Sequence, residues 1–393
     1  MLMGEEALIL SKRYTNDRSI FGLNTAVITG DSLTQLGYGE SATAYSLMSE
    51  GYFNWANILL GQRFTLLNNA GVGGYRSDQC LSELETKVLP YKPNYCFVCI
   101  GVNDVTQGIA YATTIANIKA IYDTLLAAGI RVITFPVPPC SSHTTTDQIT
   151  AAVKITEFIM NYSEATPGLY FIDAFKYFVD DTTGNPIADM TYDGVVHWST
   201  KGAYNVGKAV AEALVNIIPE VPQISLSNKA SRALNPNPCM QGDTAGIATD
   251  YSFPNGQYNT TPTKVSRTDR SGTIQRLTSS AVAAAETMFR PGGYLIGAGN
   301  TVYAQVEFET SSITDFKTLR LYLYAADAGM ANIFMSNCMM MQHATQAVFA
   351  SGWKGILKTK PFVTPVNTTR VYGMLAYNLA GVIDIKRFEI IKI

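Results

Sequence analysis

Thr25-Ala-Val-Ile-Thr-Gly-Asp-Ser-Leu33 is the stretch on which the fold turns. Residues 25–29 read as a short buried strand, and Gly30-Asp31-Ser32 as a tight turn into a helix. In open α/β sheets, small ligands bind beyond the carboxyl ends of the strands. Ser32 therefore stands where a nucleophile would be exposed. Taken alone the turn says little, because glycine, aspartate and serine all favour turns for local backbone reasons.

Three further segments repeat the arrangement in a fixed order. Asn69-Ala-Gly-Val-Gly-Gly74 follows the apolar run Phe64-Thr-Leu-Leu67, and Gly101-Val-Asn-Asp104 follows Tyr95-Cys-Phe-Val-Cys-Ile100. Asp193-Gly-Val-Val-His197 is followed by Trp198-Ser-Thr-Lys-Gly202 and a helical pattern. Singly, Asn103-Asp104 reads as a helix cap and a lone histidine as structural. As an ordered set, Ser, Gly, Asn, His, the four segments resemble the SGNH, or GDSL-like, esterases and acylhydrolases over residues 22–218.

The resemblance implies a flavodoxin-like, three-layer α/β domain with a parallel five-stranded sheet in the order second-first-third-fourth-fifth. It also implies serine chemistry. Ser32 would attack an ester carbonyl, and His197 would take the Ser32 proton and return it to the leaving alcohol. The backbone N–H groups of Ser32 and Gly74 and the side-chain amide of Asn103 would hold the oxyanion, each such donor being worth about 3 kcal/mol. In the family pattern the orienting aspartate stands three residues before the histidine, where this chain has Gly194. Asp193, one residue further back, is the candidate triad acid if the loop bulges; a Ser32–His197 dyad is the alternative. As general base His197 must be neutral, so the rate should rise with pH as it loses its proton.

Composition sets the outer limits. A net charge of −2 offers no basic field for nucleic acid or anionic lipid, and no apolar run reaches the ~20 residues that span a bilayer. The start, Met1-Leu-Met-Gly-Glu-Glu-Ala-Leu-Ile-Leu10, has acid where a secretory leader has base. The six cysteines do not suggest a disulfide framework. Cys96 and Cys99 fall within a strand, where residues three apart point to opposite faces, so buried thiols are expected there and at Cys80 and Cys140. With only His143, His197 and His343 scattered along the chain, no metal and no other cofactor is expected.

At 393 residues the chain is long enough for two domains. In the first half, strand candidates at residues 26–29, 64–68, 95–100, 131–136 and 169–172 alternate with helical patterns at 41–60, 77–89, 111–128, 146–162 and 200–217. Such alternation signals a parallel sheet covered on both faces. No Gly-x-Ser-x-Gly elbow is present, which argues against the larger α/β-hydrolase sheet. Around Pro219 the texture becomes rich in turn-formers, with Ser225-Leu-Ser-Asn228 and Asn235-Pro-Asn-Pro238. Beyond it come period-two runs at 301–308, 319–324, 370–377 and 382–391, the mark of antiparallel sheets. The expected organisation is an N-terminal extension (1–21), the hydrolase domain (22–218), a linker (219–240) and an all-β, jelly-roll-like sandwich (241–393).

The second part loosely resembles carbohydrate-binding modules. Tyr322 and Tyr324, on one strand face with Arg320, and Trp353 in a Ser-Gly-Trp-Lys-Gly loop are candidates for stacking on sugar rings, though tyrosines packed on a neighbouring sheet fit equally well. Met339-Met-Met341 reads as core or interface filling. Polar loops such as Cys140-Ser-Ser-His-Thr-Thr-Thr146 and Asp180-Asp-Thr-Thr-Gly-Asn185 favour an acetylated polysaccharide or oligosaccharide over a lipid as substrate. An esterase joined to a β-sandwich looks like a carbohydrate O-acetylesterase or the tail protein of a phage. The expected setting is a virion tail, a host surface or another extracellular place, and the cytoplasm if none of these. Nucleic acid and membrane are not expected partners, and a homo-oligomer stays open. Two alternatives remain: a lipid acylhydrolase or thioesterase of the same family, and a non-catalytic virion protein using the fold as scaffold.

Overall fold

The computed structural model describes residues 24–220, 227–228, 232–269, 271–341 and 352–393, without the side chains of 339–341. The expected extension over 1–21, His343 and the methionine side chains at 339–341 lie outside the described residues.

Strand β1 (Thr25–Gly30) runs into the short helix α1 (Ser32–Gln35), and a hairpin of β2 (Tyr38–Ser41) and β3 (Ala44–Leu47) leads on to α2 (Tyr52–Leu59). Next come β4 (Thr65–Asn69), α3 (Ser77–Ser82), α4 (Leu84–Lys87), β5 (Tyr95–Cys99) and α5 (Val102–Thr106). The half ends with α6 (Tyr111–Ala127), β6 (Arg131–Thr134), α7 (Thr146–Ala165), β7 (Leu169–Phe171) and α8 (Thr200–Leu214). Strands β4-β1-β5-β6-β7 form an all-parallel five-stranded sheet in that order. This is the second-first-third-fourth-fifth order, which sets the ends of β1, β4 and β5 side by side.

The two faces of this sheet bury separate clusters. Val27, Cys96, Val98 and Val132 face α3, α6 and α7, whereas Ala26, Ile28, Phe97, Cys99 and Ile133 face α2 and α8. Cys96 and Cys99 thus lie on opposite faces, and all six cysteines are free thiols. Among the described residues no helix is long and apolar enough to cross a membrane.

The remaining strands are β8 (Tyr251–Ser252), β9 (Thr260–Ser266), β10 (Thr273–Ser279), β11 (Thr287–Pro291), β12 (Tyr294–Leu295), β13 (Thr301–Ala326), β14 (Asn332–Met341), β15 (Lys354–Lys358), β16 (Phe362–Val363) and β17 (Arg370–Lys392). They belong to one mixed sheet of 12 strands that also takes in β2 and β3. Four alternating runs of the sequence prove to be two very long strands, β13 and β17. Their register shifts near Glu307, Ser311 and Phe316, and bulges of this kind let a strand bend without ending.

The region expected as one helix over 41–60 is instead the β2–β3 hairpin followed by the shorter α2. β3 pairs in parallel with β14, Ala44 to Leu47 lying against Met335 to Cys338. Its partner stands about 290 residues away, and the two-residue turn at Ala42-Thr43 lacks the glycine or asparagine that usually announces a hairpin. Helix α2 is buried nearly all round. One side meets the parallel sheet through Phe53, whose ring lies 5.0 Å from Phe97 and 5.9 Å from Phe64. The other meets the second half through Trp55 and Trp353, 6.1 Å apart. The expected helix over 77–89 breaks into α3, α4 and a 3₁₀ turn at Leu89–Tyr91 that contains Pro90.

Part of the expected linker is firmly docked. Asn235 is 1% exposed; its side chain donates to Phe388 O at 2.7 Å and accepts from Ile390 N–H at 2.9 Å. Asn235 thus hydrogen-bonds β17, and Asn237 donates to Gln241 O and Thr249 O, each at 2.8 Å.

Candidate active site

Close backbone packing shapes the turn that carries Ser32. A Cβ on Gly30 would come within 2.0 Å of Cys99 O on the adjacent strand, so only glycine fits where β1 meets β5. Asp31 caps α1 by accepting from Leu33 N–H at 2.9 Å. The segment after β4 presses on the same helix: a Cβ on Gly71 would lie 2.7 Å from Gln35 N, and one on Gly73 would lie 3.9 Å from Ser32 Cβ. Gly73 N–H donates to Gln35 Oε1 at 2.8 Å. Gly74 is exposed, has open space above it and takes φ +78°, so its glycine answers to backbone conformation rather than crowding.

Asn103 lies in the first turn of α5, beyond β5. Its Nδ2 donates to Tyr75 O at 3.0 Å, which leaves the second amide hydrogen available. Ser32 and Gly74 backbone N–H groups find no acceptor among the described residues.

The fourth segment is built around Asp193. Oδ1 accepts the backbone N–H groups of Val195, Val196 and His197 at 2.8, 3.0 and 3.1 Å. Tyr192 N–H donates to His197 O at 2.9 Å, and Gly194 takes φ +71°. This closed turn absorbs the extra residue between aspartate and histidine. Asp193 Oδ2 then lies 2.6 Å from His197 Nδ1, and His197 Nε2 lies 3.0 Å from Ser32 Oγ. Burial opposes ionisation of Asp193, but the Val195 N–H, the His197 ring and the Val196 N–H outweigh it and hold the carboxyl below its usual range.

The residues after His197 anchor the turn. Trp198 is 1% exposed and packs on Tyr52, Phe175 and Phe178. Ser199 Oγ accepts from Gly202 N–H at 3.0 Å, capping α8. A Cβ on Gly202 would stand 2.0 Å from Met190 O. Thr200 is completely buried and its Oγ1 hydrogen-bonds Ser49 Oγ at 3.3 Å, so Trp198, Ser199, Thr200 and Gly202 each have a packing reason.

Several neighbours make contacts that the sequence did not reveal. Ser141 Oγ donates to Gly194 O at 2.8 Å and Ser141 N–H to Val195 O at 3.1 Å, tying the loop after β6 to the His197 turn. His143, in the same loop, meets Thr106 Oγ1 at 2.9 Å through Nε2, on the helix that bears Asn103. The Tyr192 ring stacks on the His197 imidazole, with centroids 5.7 Å apart and planes 16° apart. Buried Asp104 accepts from Ser77. The contacts of Ser141, His143 and Asp104 reach segments at least 27 residues away, beyond any local pattern, and the Tyr192 stack depends on the closed turn that brings Tyr192 back to His197.

Residues 28–204 match the model of the GDSL-like Lipase/Acylhydrolase family. This part of the chain is therefore similar to a GDSL-like lipase/acylhydrolase domain. No curated protein matches the chain in sequence. Among solved structures, a lipase/acylhydrolase from Enterococcus faecalis is 21% identical, covering 51% of this chain and 100% of its own, with a TM-score of 0.40. A GDSL-like lipase from Bacteroides thetaiotaomicron VPI-5482 is 16% identical over 54% of this chain and 97% of its own, with a TM-score of 0.39. The acetyl xylan esterase AlAXEase is 20% identical over 48% and 99%, with a TM-score of 0.40.

The sugar-stacking candidates lie outside the matched residues 28–204. Trp353 is no exposed platform: it is 1% exposed, and its ring meets Phe316 at 4.9 Å and Trp55 at 6.1 Å. Packing of this large ring against Phe316, Trp55 and Tyr204 favours burial over exposure. Tyr322 is 9% exposed and Tyr324 half-buried. Their rings stack at 5.5 Å, and Tyr324 stacks on Tyr372 at 5.1 Å. The faces a pyranose would need are largely turned on one another. Among the described residues no group of three or more His, Cys, Asp or Glu is placed to hold a metal ion.

Proposed function

We propose that the chain is a serine esterase acting through an acyl-enzyme at Ser32, and that its substrates are short-chain, chiefly acetyl, esters on carbohydrate. The observation that carries the esterase reading is the continuous relay Asp193 Oδ2, His197 Nδ1, His197 Nε2, Ser32 Oγ at 2.6 and 3.0 Å. In this reading Ser32 Oγ–H gives its proton to His197 Nε2 as the oxygen attacks the ester carbonyl. Asp193 holds the ring with Nδ1–H toward it and stabilises the imidazolium. The negative oxygen of the tetrahedral intermediate takes hydrogen bonds from Ser32 N–H, Gly74 N–H and Asn103 Nδ2. His197 then protonates the leaving alcohol, and water, deprotonated by the same imidazole, releases the acid.

The carbohydrate preference is supported by the polar surroundings: Ser141, Thr144, Thr183 and Asn185 line a groove of about 550 Å³ beside the loop after β6. The same groove favours a second reading, hydrolysis of longer acyl esters, because Pro138, Pro139, Ile149 and Val153 give it an aliphatic wall. Rates on 4-nitrophenyl acetate, butyrate and octanoate, together with acetate release from acetylated polysaccharide, separate the two. Acetyl ester cleaved fastest, and acetate released from the polysaccharide, is the expected result. Octanoate far ahead of acetate would put the lipid reading first, and a folded chain whose Ser32 resists fluorophosphonate labelling would leave the domain a scaffold.

A further inference from the structure

Asp104 follows Asn103 directly and is completely buried. Its Oδ2 accepts Ser77 N–H at 2.9 Å; its Oδ1 accepts Ser77 Oγ–H at 2.5 Å and, more distantly, Thr114 Oγ1–H at 3.4 Å. Ser77 opens α3, where backbone N–H groups have no acceptor within the helix. A carboxylate from α5 thus caps a helix that begins 27 residues earlier. Burying a carboxyl group for packing alone is unfavourable, and an apolar side chain of similar size would serve as well or better. Burial does push the Asp104 carboxyl above its usual range, against the Ser77 hydrogen bonds.

What this contact joins is specific. Gly74 stands three residues before Ser77, and Asn103 stands one before Asp104. The same two segments are stitched again by Asn103 Nδ2 to Tyr75 O at 3.0 Å and by Arg76 Nη1 to Gln107 Oε1 at 2.9 Å, the latter at the surface. We propose that Asp104 is a positioning residue of the oxyanion hole: by gripping Ser77 it fixes the Gly74 N–H relative to the Asn103 amide. The proposal rests on the esterase reading and adds a residue to it. Asp104 touches no substrate and acts through Ser77.

The test compares wild type, Asp104→Asn, Ser77→Ala and the double variant in the full chain. The readouts are kcat and KM on 4-nitrophenyl acetate, the inhibition constant of phenylboronic acid, which forms a tetrahedral adduct on serine, and the melting temperature. Asparagine keeps the volume but cannot accept both Ser77 donors on two oxygens. A displaced donor pair should lower kcat about 100-fold while KM stays within about twofold, and boronate affinity should fall with kcat. Ser77→Ala should give a smaller loss of the same kind, and the double variant should be no worse than Asp104→Asn. A folded Asp104→Asn with wild-type kcat, or one whose boronate affinity is unchanged, overturns the proposal while the esterase reading stands. If Asp104→Asn fails to fold, Ser77→Ala decides: reduced kcat and boronate affinity support the proposal, and unchanged values overturn it. A wild type with neither turnover nor fluorophosphonate labelling overturns both.

Discussion

At the scale of single residues, the sharpest contrast is between two aspartates. Asp193 is held below its ordinary range by its N–H donors and His197. It therefore stays ionised through neutral pH, and its support for the site is lost only as pH falls through that lowered value. Asp193→Asn leaves an amide that can face His197 the wrong way. Turnover should fall roughly 1000-fold, short of the complete loss expected for Ser32→Ala; single-turnover assays of both variants check the ranking. Asp31 behaves in the opposite way. Burial first, with the charge of Asp104 adding to it, outweighs the Leu33 N–H bond and raises the carboxyl to about 7. In the unfolded chain it ionises near 4, so between about pH 4 and 7 the unfolded state releases a proton that the folded state keeps, and stability falls as pH rises. Asp31→Asn removes this penalty, on the order of 4 kcal/mol at most. Its melting temperature should exceed wild type by more at pH 8 than at pH 5; an equal offset at both would refute the assignment. Ser32, Gly74, Asn103 and His197 could be nominated from the sequence because chemistry limits which residue types can serve, and the fold brings Ser32 and His197 together. Asp193 was legible only as a candidate, since its reach depends on three N–H groups closing a turn. Asp104 looked like a local cap and turned out to cap a distant helix.

At the scale of elements, the parallel sheet was readable because each of its strands is a short apolar run between helices. The β2–β3 hairpin was not: its pairing energy comes from β14, about 290 residues on. Helix α2 blurred for a related reason, being covered on both sides and lacking the polar face that marks a surface helix. The fit between elements gives its own prediction. A Cβ at Gly71 would sit 2.7 Å from Gln35 N and 2.8 Å from Thr34 Cβ, so Gly71→Ala must push α1, and Ser32 with it. A stability loss of about 1–3 kcal/mol is expected for such overpacking. Activity should fall more steeply, at least about 10-fold, as urea melts and kcat measured side by side would show.

At the scale of the whole molecule, the change of texture near Pro219 marks a real transition from alternating α/β to β structure, yet it does not mark a cut. One apolar cluster runs from Phe97 and Trp55 through Trp353 to Phe388. Gln62 Nε2 donates to Ile356 O at 2.7 Å, and a Cβ on Gly355 would lie 2.2 Å from Ile58 O. Composition shows where strand patterning begins; it cannot show that two patterns share a core. A chain ending at Pro219 should expose the outer side of α2 and fail to reach a cooperative fold, whereas the full chain should melt in one calorimetric transition. Two well-separated transitions, or an active truncated form, would contradict this. The placement of α2 also bears on how the protein is made. During translation that helix leaves the ribosome about 300 residues ahead of its second wall, Trp353 to Ile356. Throughout that interval the nascent chain must carry an apolar helix with one side bare, and a chaperone that shields such a surface should raise its yield.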